Sequence, residues 1–292
     1  MPGYAVMHEM NKHDRLNQNT WAASGTLDWL GSLEGFVDAG ERAAYARIAE
    51  RARDQPILDL GVGAGRTIPM LQSLSRDYVA IDYTPAMVER ARQRFPGVDI
   101  QLGDARDLSR FRAGSFCLVV FSFAGIDAIG HEGRHQVFGE VSRVLRAGGV
   151  FWFSTLNKDG SMPGRRPWRA AWPQRAGGIT QQTIDILRTV KQAAVGIRNY
   201  YRLHKLQQEG EGWLVAPFFA HAYGLLVHYT TLACQMAVLE SLGFCPDPEV
   251  FDENGARVRP GDDLSRADFF NILACKRPGA VTSSITRSAQ AQ

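Results

Sequence analysis

The sequence predicts an α/β fold in which a doubly wound, mostly parallel sheet carries helices on both faces. Short apolar runs alternate with amphipathic helical segments between residues 56 and 157, which is the pattern of successive βαβ units. The run "SFCLVVFSF" (115–123) is apolar throughout, as in a strand covered on both faces. Short strands near Val250 and in "DFFNILACK" indicate an antiparallel pair added to the parallel sheet.

Each element of this pattern has a local signature. Residues 20–53 have the apolar spacing of helices, and Pro85 stands at a favoured first-turn position of a later helix. The predicted strands are 56–60, 78–82, 98–103, 115–123 and 150–157, and the predicted helices that follow them are 66–75, 85–95, 135–149 and 231–244.

The alternation stops after residue 157. Residues 157–230 contain a Pro/Trp/Arg segment, a long helical pattern and a β-like apolar stretch, "WLVAPFFAHAYGLLVHY". We therefore divide the chain into five regions. They are a helical N-terminal cap (1–55), a core (56–156), an insert that forms a lid over a substrate (157–230), a C-terminal helix with a strand pair that completes the core (231–276), and a flexible tail (277–292).

Composition narrows the function classes. The chain has 292 residues, 45% of them apolar and 22% charged, and a net charge of only +3, so the whole molecule has no evident nucleic-acid or membrane partner. Its four cysteines form no CxxC pair and no metal-like spacing with histidine, so we expect neither a metal site nor disulfides. The polar N-terminus and the lack of a long apolar run predict a cytoplasmic protein.

The stretch "PILDLGVGAGRTIPML" (56–71) carries the strongest functional signal. Gly61, Gly63 and Gly65 follow a buried strand, where a ligand can approach the backbone beyond the strand ends. Arg66 occupies the place of the third glycine of a dinucleotide-binding turn, and no phosphate-loop Gly-Lys-Ser/Thr follows. Asp82, at the end of the second strand, can accept ribose hydroxyls, and the position of Asp104 suits an adenine amino group. The pattern predicts a nucleoside pocket without a pyrophosphate.

The segments "ILDLGVGAGR", "VAIDYTPAMVERAR", "LGDARDL" and "VSRVLRAGGVFWFST" resemble the successive motifs of class I S-adenosylmethionine-dependent methyltransferases. The resemblance implies a Rossmann-like sheet of seven strands with an antiparallel last strand. It implies S-adenosylmethionine as cofactor and S-adenosylhomocysteine as product. The implied cofactor residues are Asp59, Gly61, Gly63 and Gly65 for the methionine part, Asp82 and Tyr83 for the ribose, Asp104 and Ala105 for the adenine, and Ser122 in the loop after the fourth strand.

The loop "FSFAGIDAIGHEGR" (121–134) is expected to face the reacting methyl group. It lacks the Asn/Asp-Pro-Pro-Tyr/Phe motif of relatives that methylate exocyclic amines, which counts against that branch. Asp127 is a candidate for orienting substrate or cofactor, and His131 and His228 are candidate catalytic residues. The alternative for Asp127 and His131 is that both cap the nearby helix.

A second polar cluster, His221, Tyr223 and Tyr229 with His228, is a candidate for substrate binding. Strand alternation places His221 and Tyr223 on one face, and His228 opposite Tyr229. The alternative is that these side chains are structural. No carboxylate or cysteine completes a metal-ligand spacing among them, so we predict no metal.

The insert is strongly basic. Residues 157–208 contain ten Lys/Arg and two acids, and Arg165 and Arg166 are candidates for binding a carboxylate- or phosphate-bearing acceptor. The alternatives are a solvated basic face or an RNA-binding surface. Apolar residues at helical spacing form a stripe that is predicted to pack on the body or on a partner subunit of a homodimer: Ile184, Leu187, Val190, Ala194, Ile197 and Tyr201.

Together these observations predict a methyltransferase that acts at oxygen, nitrogen or carbon of a small molecule. One alternative is an RNA or protein methyltransferase that uses the basic insert, and another is a non-catalytic subunit that binds the cofactor. The glycine spacing disfavours an NAD-dependent oxidoreductase.

Overall fold

The computed structural model describes residues 11–169 and 179–278, and for residues 169 and 179–188 it describes the backbone alone. The predictions for residues 1–10 of the cap and 279–292 of the tail concern residues outside these ranges. The helices of the described part are α1 (Lys12–Trp21), α2 (Ser24–Ser32), α3 (Ala39–Ala52), α4 (Ile68–Gln72), α5 (Pro85–Arg94), α6 (His131–Val144), α7 (Ile179–His204) and α8 (Leu232–Ser241). The strands are β1 (Ile57–Leu60), β2 (Tyr78–Asp82), β3 (Asp99–Leu102), β4 (Phe116–Phe121), β5 (Leu145–Asn157), β6 (Gln208–Gly210), β7 (Trp213–Phe218), β8 (Leu225–Thr230), β9 (Glu249–Asp252) and β10 (Phe269–Cys275).

Five parallel strands form the centre of the sheet in the order β3-β2-β1-β4-β5. The predicted α/β class is therefore confirmed. Because these strands run in one direction, the carboxyl ends of β1 to β4 meet at one edge of the sheet. The glycine loop, Asp82, Asp104 and Ser122 all follow or end these strands, so the topology brings them together at that edge.

The long strand β5 has two kinds of neighbour. The antiparallel strand β10 pairs with residues 150–156 and carries β9 on its other side, as the sequence predicts. At its carboxyl end, Leu156 and Asn157 pair with the parallel strand β8, which continues into the antiparallel β7 and β6. The described sheet has ten strands rather than seven, because part of the insert joins it.

Both faces of the sheet are buried. Along β5, Phe151 and Phe153 enter one apolar cluster with Phe138 of α6, whereas Trp152 enters a second cluster with Ile48 of α3 on the opposite face. This alternation within one strand is what a sheet between two helical layers requires. It holds the strand ends rigidly for the site described below.

Two regions differ from the expectations. The helical segment predicted over 20–53 is broken before α3, where Gly35 has φ +69° and Asp38 and Glu41 form a capping box. The apolar stripe of α7 does not pack on the body, since Val190, Ile197 and Tyr201 are exposed. Ile184 and Leu187 lie among the residues whose side chains are not described, and the homodimer stays a prediction.

Within the described ranges, no helix has the length and apolar character that a membrane span requires. The four cysteines are all free, and Cys117 is the buried one among them.

Candidate active site

A cleft opens at the carboxyl ends of β1, β2, β3 and β4. Its floor comes from the loops that follow these strands, and its cover comes from α1 and α2. The lining includes Asp14, Trp21, Leu30, Gly61, Gly63, Arg66, Asp82, Tyr83, Thr84, Asp104, Ala105, Arg106, Ser122, Phe123 and Ile129. Gly61, Gly63, Asp82, Tyr83, Asp104, Ala105 and Ser122 are thus brought together as the sequence predicts.

The three glycines of the loop serve different purposes, although all three have positive φ. A Cβ at Gly63 would meet no atom within 4 Å, so the backbone there is open toward the cleft. A Cβ at Gly61 would overlap the ring of Phe121, and one at Gly65 would overlap the ring of Phe95. Gly65 therefore does not line the cleft. It lets the loop pack against Phe95 at the end of α5, and its assigned contact with the cofactor stays a prediction.

Asp82 joins the glycine loop to the end of β2. Its Oδ2 accepts a hydrogen bond of 2.9 Å from the backbone N–H of Gly63, and its Oδ1 accepts one of 2.8 Å from the N–H of Thr84. The side chain is nearly buried, and burial raises the pKa of this carboxyl group. Each oxygen keeps a further lone pair, so the carboxylate can still accept from hydroxyl groups of a ligand.

Asp59 lies beneath the loop rather than in the cleft lining. Thr67 Oγ1 and Tyr78 OH donate to its Oδ2 over 2.7 Å and 2.8 Å. Its buried Oδ1 has no hydrogen-bond partner among the described residues, and burial raises its pKa to about 6. A buried carboxylate oxygen without a partner is costly, and a donor group on a ligand would offset that cost.

Arg106 links two carboxylates across the cleft. It donates to Asp104 Oδ2 over 2.6 Å and to Asp14 Oδ2 of α1, also over 2.6 Å. Asp104 therefore already holds a guanidinium group, and an adenine amino group would share this carboxylate with Arg106. The side chain of Arg106 is buried, so the bridge fixes α1 against the loop after β3.

Arg66 is held in the cleft by Glu41 of α3. The guanidinium group donates to both carboxylate oxygens of Glu41, over 2.8 Å and 2.6 Å, and to Ser122 Oγ over 2.9 Å. The centre of the guanidinium group also lies 4.7 Å from the ring centroid of Phe123. In the sequence, Arg66 is notable only because it breaks a dinucleotide-binding turn, and nothing marks Glu41 as a functional residue. Their ion pair joins residues that are far apart in the chain, so no local sequence pattern predicts it.

Helix α1 is tied over the cleft by polar contacts. The side-chain amide of Asn17 donates to the carbonyl groups of Ala128 and Leu226, over 2.7 Å each, and its Oδ1 accepts from Leu226 N–H over 2.9 Å. Gln18 donates to the carbonyl of Tyr83 over 3.0 Å. Helix α1 is thus fixed beside Tyr83 and Ala128 of the cleft lining, and the covering of a bound nucleoside by the N-terminal cap stays a prediction.

Four rings form an aromatic rim beside the cleft: Trp21 and Phe123 line it, and Trp29 and His221 pack against them. The ring of His221 contacts Trp21 and Trp29 edge-on, with centroids 5.3 Å and 5.4 Å apart. The ring centroids of Trp29 and Phe123 are 6.2 Å apart. Trp29 and Phe123 remain 43% and 38% exposed, so the rim presents apolar surface to whatever enters.

Two strained turns support this rim. Phe123 and Ala124 both have φ +54°, and His221, Ala222 and Tyr223 have φ between +50° and +56°. The left-handed region costs roughly 1–2 kcal/mol for a residue with a Cβ. Ser122 is held by Arg66, and Ala124 N–H donates to Ser154 Oγ over 2.6 Å, so the turn is fixed on both sides of Phe123.

Comparison with known proteins identifies relatives of part of the chain. Residues 57–149 match a protein family described as a methyltransferase domain. A probable S-adenosylmethionine-dependent methyltransferase of Mycolicibacterium smegmatis is 35% identical over 132 residues, which are 45% of this chain and 50% of that protein. A probable S-adenosylmethionine-dependent methyltransferase of Mycobacterium tuberculosis is 28% identical over 133 residues, 46% and 47% of the two proteins. The chain thus spans about half the length of the curated relatives it matches.

The fold is shared more widely. The structure of a Burkholderia thailandensis 1,6-didemethyltoxoflavin N1-methyltransferase, solved with 1,6-didemethyltoxoflavin and S-adenosylhomocysteine, aligns with a TM-score of 0.54 over 94% of both chains. A Methanosarcina mazei S-adenosylmethionine-dependent methyltransferase aligns with a TM-score of 0.50 over 79% of this chain and 97% of that one. The identities are 13% and 18%, so these likenesses concern the fold alone.

Residues 57–149 therefore carry a methyltransferase domain, which is what the four motifs predict for this part of the chain.

The cleft fits the cofactor that the resemblance implies, S-adenosylmethionine. Gly63 offers an open backbone cradle, Asp59 Oδ1 lacks a donor, and Asp82 keeps lone pairs free. Asp14, Asp82 and Asp104 line the cleft with Arg66 and Arg106, and the buried Glu41 pairs with Arg66 outside the lining, so four carboxylates face two guanidinium groups. This surplus of negative charge suits a cationic sulfonium.

Asp127 is placed differently from either expectation. It forms a buried ion pair with Arg134 and accepts hydrogen bonds from Thr155 Oγ1 (2.9 Å) and Leu156 N–H (2.7 Å). Burial raises its pKa to about 6, and the carboxylate does not line the cleft. It ties the segment before α6 to β5, so its assignment to substrate or cofactor orientation has no support here. Gly130 is the N-cap of α6 and no side chain caps the helix, so the capping alternative is wrong for Asp127 and for His131.

His131 and His228 contact each other outside the cleft. Nδ1 of His131 lies 3.1 Å from Nε2 of His228, and Trp213 stacks on His131 with ring centroids 3.8 Å apart. Neither histidine lines the cleft. His131 is the first residue of α6, and its side chain faces β7 and β8. For this reason His131 lies outside the cleft, although it is close in sequence to the loop after β4.

The other proposed substrate residues also differ from expectation. His221 and Tyr223 lie in a 3₁₀ turn rather than on a strand, and of these two His221 belongs to the aromatic rim. His228 and Tyr229 do face opposite sides of β8, but Tyr229 is fully buried in an apolar cluster and is out of reach of a substrate. Tyr223 is buried against the ring of Tyr200.

The two arginines of the insert are engaged away from the cleft. Arg165 pairs with Asp268 over 3.3 Å and lies over the ring of Phe219, and Arg166 donates to the carbonyl of Pro163 over 3.0 Å. Neither lines the cleft. The insert segment that carries them packs beside the carboxyl end of β5, so the predicted contact of Arg165 and Arg166 with an anionic acceptor has no support in this arrangement.

Proposed function

We propose that this protein transfers the methyl group of S-adenosylmethionine to a small-molecule acceptor, at oxygen, nitrogen or carbon. The observation that carries the proposal is the junction of the open Gly63 backbone with Asp82, over 2.9 Å, at the carboxyl ends of β1 and β2. This junction supplies a carboxylate for hydroxyl groups beside an unobstructed backbone, in a cleft with a surplus of carboxylates.

The cofactor, when bound, supplies a methyl group on a positively charged sulfur. The residues of the chain bind and align rather than activate. Asp82 accepts from hydroxyl groups, Asp59 is placed to receive a donor beneath the loop, and α1 excludes water from the nucleoside end. Glu41 neutralises Arg66, so this guanidinium group does not oppose a second positive charge nearby.

In the transfer, an electron pair of the acceptor would form the bond to the methyl carbon, and the electron pair of the broken carbon–sulfur bond would stay on sulfur; Asp82 and the open backbone at Gly63 would hold the cofactor for this step. No histidine is among the residues that line the cleft in the described part of the chain. We therefore propose that an acceptor proton, where there is one, leaves to solvent at the open mouth.

Calorimetric titration of the purified protein with S-adenosylhomocysteine, with NAD as control ligand, tests this function. We expect one-to-one binding of S-adenosylhomocysteine and none of NAD. Binding of NAD alone, or of neither, would reject the proposal. Binding of S-adenosylhomocysteine without methyl transfer to small molecules, but with transfer to RNA or protein, would favour the alternative that uses the basic insert.

A further inference from the structure

The aromatic rim has exposed apolar surface that the cofactor residues do not explain. In a folded monomer, adjacent large aromatic side chains that remain open to solvent mark a binding surface more often than scattered apolar residues do. Trp29 and Phe123 are such a pair, 43% and 38% exposed with ring centroids 6.2 Å apart. Phe123 lines the cleft together with Gly61 and Gly63, and Trp29 packs against its ring.

The backbone of Phe123 is held in an unfavourable conformation that keeps this ring at the mouth. Its φ is +54°, and the neighbouring residues Ser122 and Ala124 are fixed by Arg66 and by Ser154. The guanidinium group of Arg66 lies 4.7 Å from the ring centroid and supports one face of it. A strained residue with such support is a feature of functional sites. The turn at His221, which carries the ring behind Trp29, has the same strained backbone.

Charges near the rim are already paired. Arg66 is bound by Glu41, and Arg106 is shared by Asp14 and Asp104. No guanidinium group of the described cleft lining is therefore left to bind an anionic acceptor, and the surplus of carboxylates would repel one. A molecule that binds here must use stacking and apolar contact.

From these observations we propose that the aromatic rim is the acceptor subsite and that the acceptor is a planar, uncharged aromatic molecule that stacks on Trp29 and Phe123. The two rings are too close for a third ring to insert between them, so the acceptor lies against their exposed faces. This inference rests on the proposed function, since the rim leads to the cofactor cleft.

Three probes of one carbon skeleton separate the possible causes of binding. 2-Naphthol is planar and neutral, 2-naphthoate is planar and anionic, and decahydro-2-naphthol is neutral but not planar. Each is titrated calorimetrically into protein saturated with S-adenosylhomocysteine. We expect 2-naphthol to bind at least about tenfold more tightly than either of the others.

The residues are tested by Trp29→Ala and Phe123→Ala, with Trp168→Ala as the matched control. Trp168 is 54% exposed and stacks on Tyr201 of α7, away from the cleft. We expect each rim variant to weaken 2-naphthol by about tenfold and the control to change it by less than about twofold. Trp29→Ala and Trp168→Ala, whose residues do not line the cleft, are expected to keep their affinity for S-adenosylhomocysteine. The conservative variants Trp29→Phe and Phe123→Tyr are expected to retain binding, which separates stacking from loss of fold.

Three results would overturn the inference. They are no binding of 2-naphthol to the loaded protein, equal or tighter binding of either other probe, and equal binding by the rim variants and the wild type. Each of these results leaves binding of S-adenosylhomocysteine intact, so the proposed function would survive. A protein that does not bind S-adenosylhomocysteine at all would overturn the proposed function and this inference together.

Discussion

At the scale of single residues, the cleft depends on carboxylates that have several neighbours at once. Asp82 accepts from Gly63 and Thr84, and it orders the glycine loop before any ligand arrives. Removing it takes away both the acceptor for the ligand and the contact that fixes the loop.

We expect Asp82→Ala to weaken binding of S-adenosylhomocysteine by more than about tenfold, because buried hydroxyl groups would lose a charged acceptor. Calorimetric titration measures the affinity. Asp99→Asn is the control, since Asp99 is exposed at the start of β3 and does not line the cleft. Equal affinities for wild type and Asp82→Ala would remove Asp82 from the ligand site.

Single residues also show what the sequence can and cannot predict. Asp82, Gly63, Tyr83, Ala105 and Ser122 were predictable because a motif fixes their place at the end of a parallel strand. The ion pair between Arg66 and Glu41 was not, because it depends on how α3 packs across the glycine loop. Likewise, no local signal gives the direction in which α6 turns His131.

At the scale of elements, α1 is held over the cleft mainly through Asn17. This buried amide satisfies two carbonyl groups and one N–H that belong to other segments. Gln18 makes one such contact, to the carbonyl of Tyr83.

We expect Asn17→Ala to lower the free energy of unfolding by about 2–3 kcal/mol, because it leaves buried backbone groups without partners. Gln18→Ala is expected to cost about 1 kcal/mol or less. Urea denaturation measures both, and hydrogen exchange is expected to rise in residues 12–21 of Asn17→Ala. Equal losses in the two variants would show that α1 is not anchored at Asn17.

The strained turn before β8 allows a stabilising substitution. Ala222 has φ +50°, so Ala222→Gly is expected to raise the free energy of unfolding by up to about 1 kcal/mol. Ala194→Gly, on the exposed face of α7, is expected to lower it by about 1 kcal/mol. Thermal or urea unfolding measures the stability of both variants. If Ala222→Gly is destabilised as Ala194→Gly is, the turn is not strained.

The same turn shows why elements of the insert were only partly predictable. The apolar stretch from Trp213 to Tyr229 has the composition of strands, and it forms β7 and β8. Its interruption at His221–Tyr223 depends on contacts with Thr20, Thr26 and Asn199, which lie in other elements. Composition identified the strands but gave no sign of the bend between them.

At the scale of the whole molecule, buried histidines contribute to the pH dependence of the free energy of unfolding. Burial lowers the pKa of His13, His131, His135, His221 and His228, most strongly at His228. The folded state therefore binds protons at these side chains more weakly than the unfolded state, whose histidines titrate near pH 6.5, so they favour unfolding as the pH falls through that value. Asp59 and Asp127 act in the opposite sense below about pH 6, because their raised pKa lets the folded state bind protons first.

We therefore expect the free energy of unfolding to fall as the pH decreases below about 7, and to fall less steeply below about pH 6, where Asp59 and Asp127 oppose the histidines. One deeply buried histidine contributes up to about 1.4 kcal/mol per pH unit in its window. Urea denaturation at several pH values should give a shallower dependence for His228→Gln than for the wild type. His204→Gln, at an exposed position, is the control, and identical pH profiles for the wild type and His228→Gln would contradict the assignment.

The guanidinium bridge of Arg106 has a consequence for the molecule as a whole. Asp14 belongs to the first turn of α1, and Asp104 follows β3, so one side chain senses both. A ligand group that competes with Arg106 for Asp104 changes the ion pair between Arg106 and Asp14. Conversely, the docking of α1 changes the affinity of Asp104 for that ligand group by the same factor. By thermodynamic reciprocity, the docking of α1 and the binding of a ligand at Asp104 are coupled equilibria, and each shifts the other to the same extent.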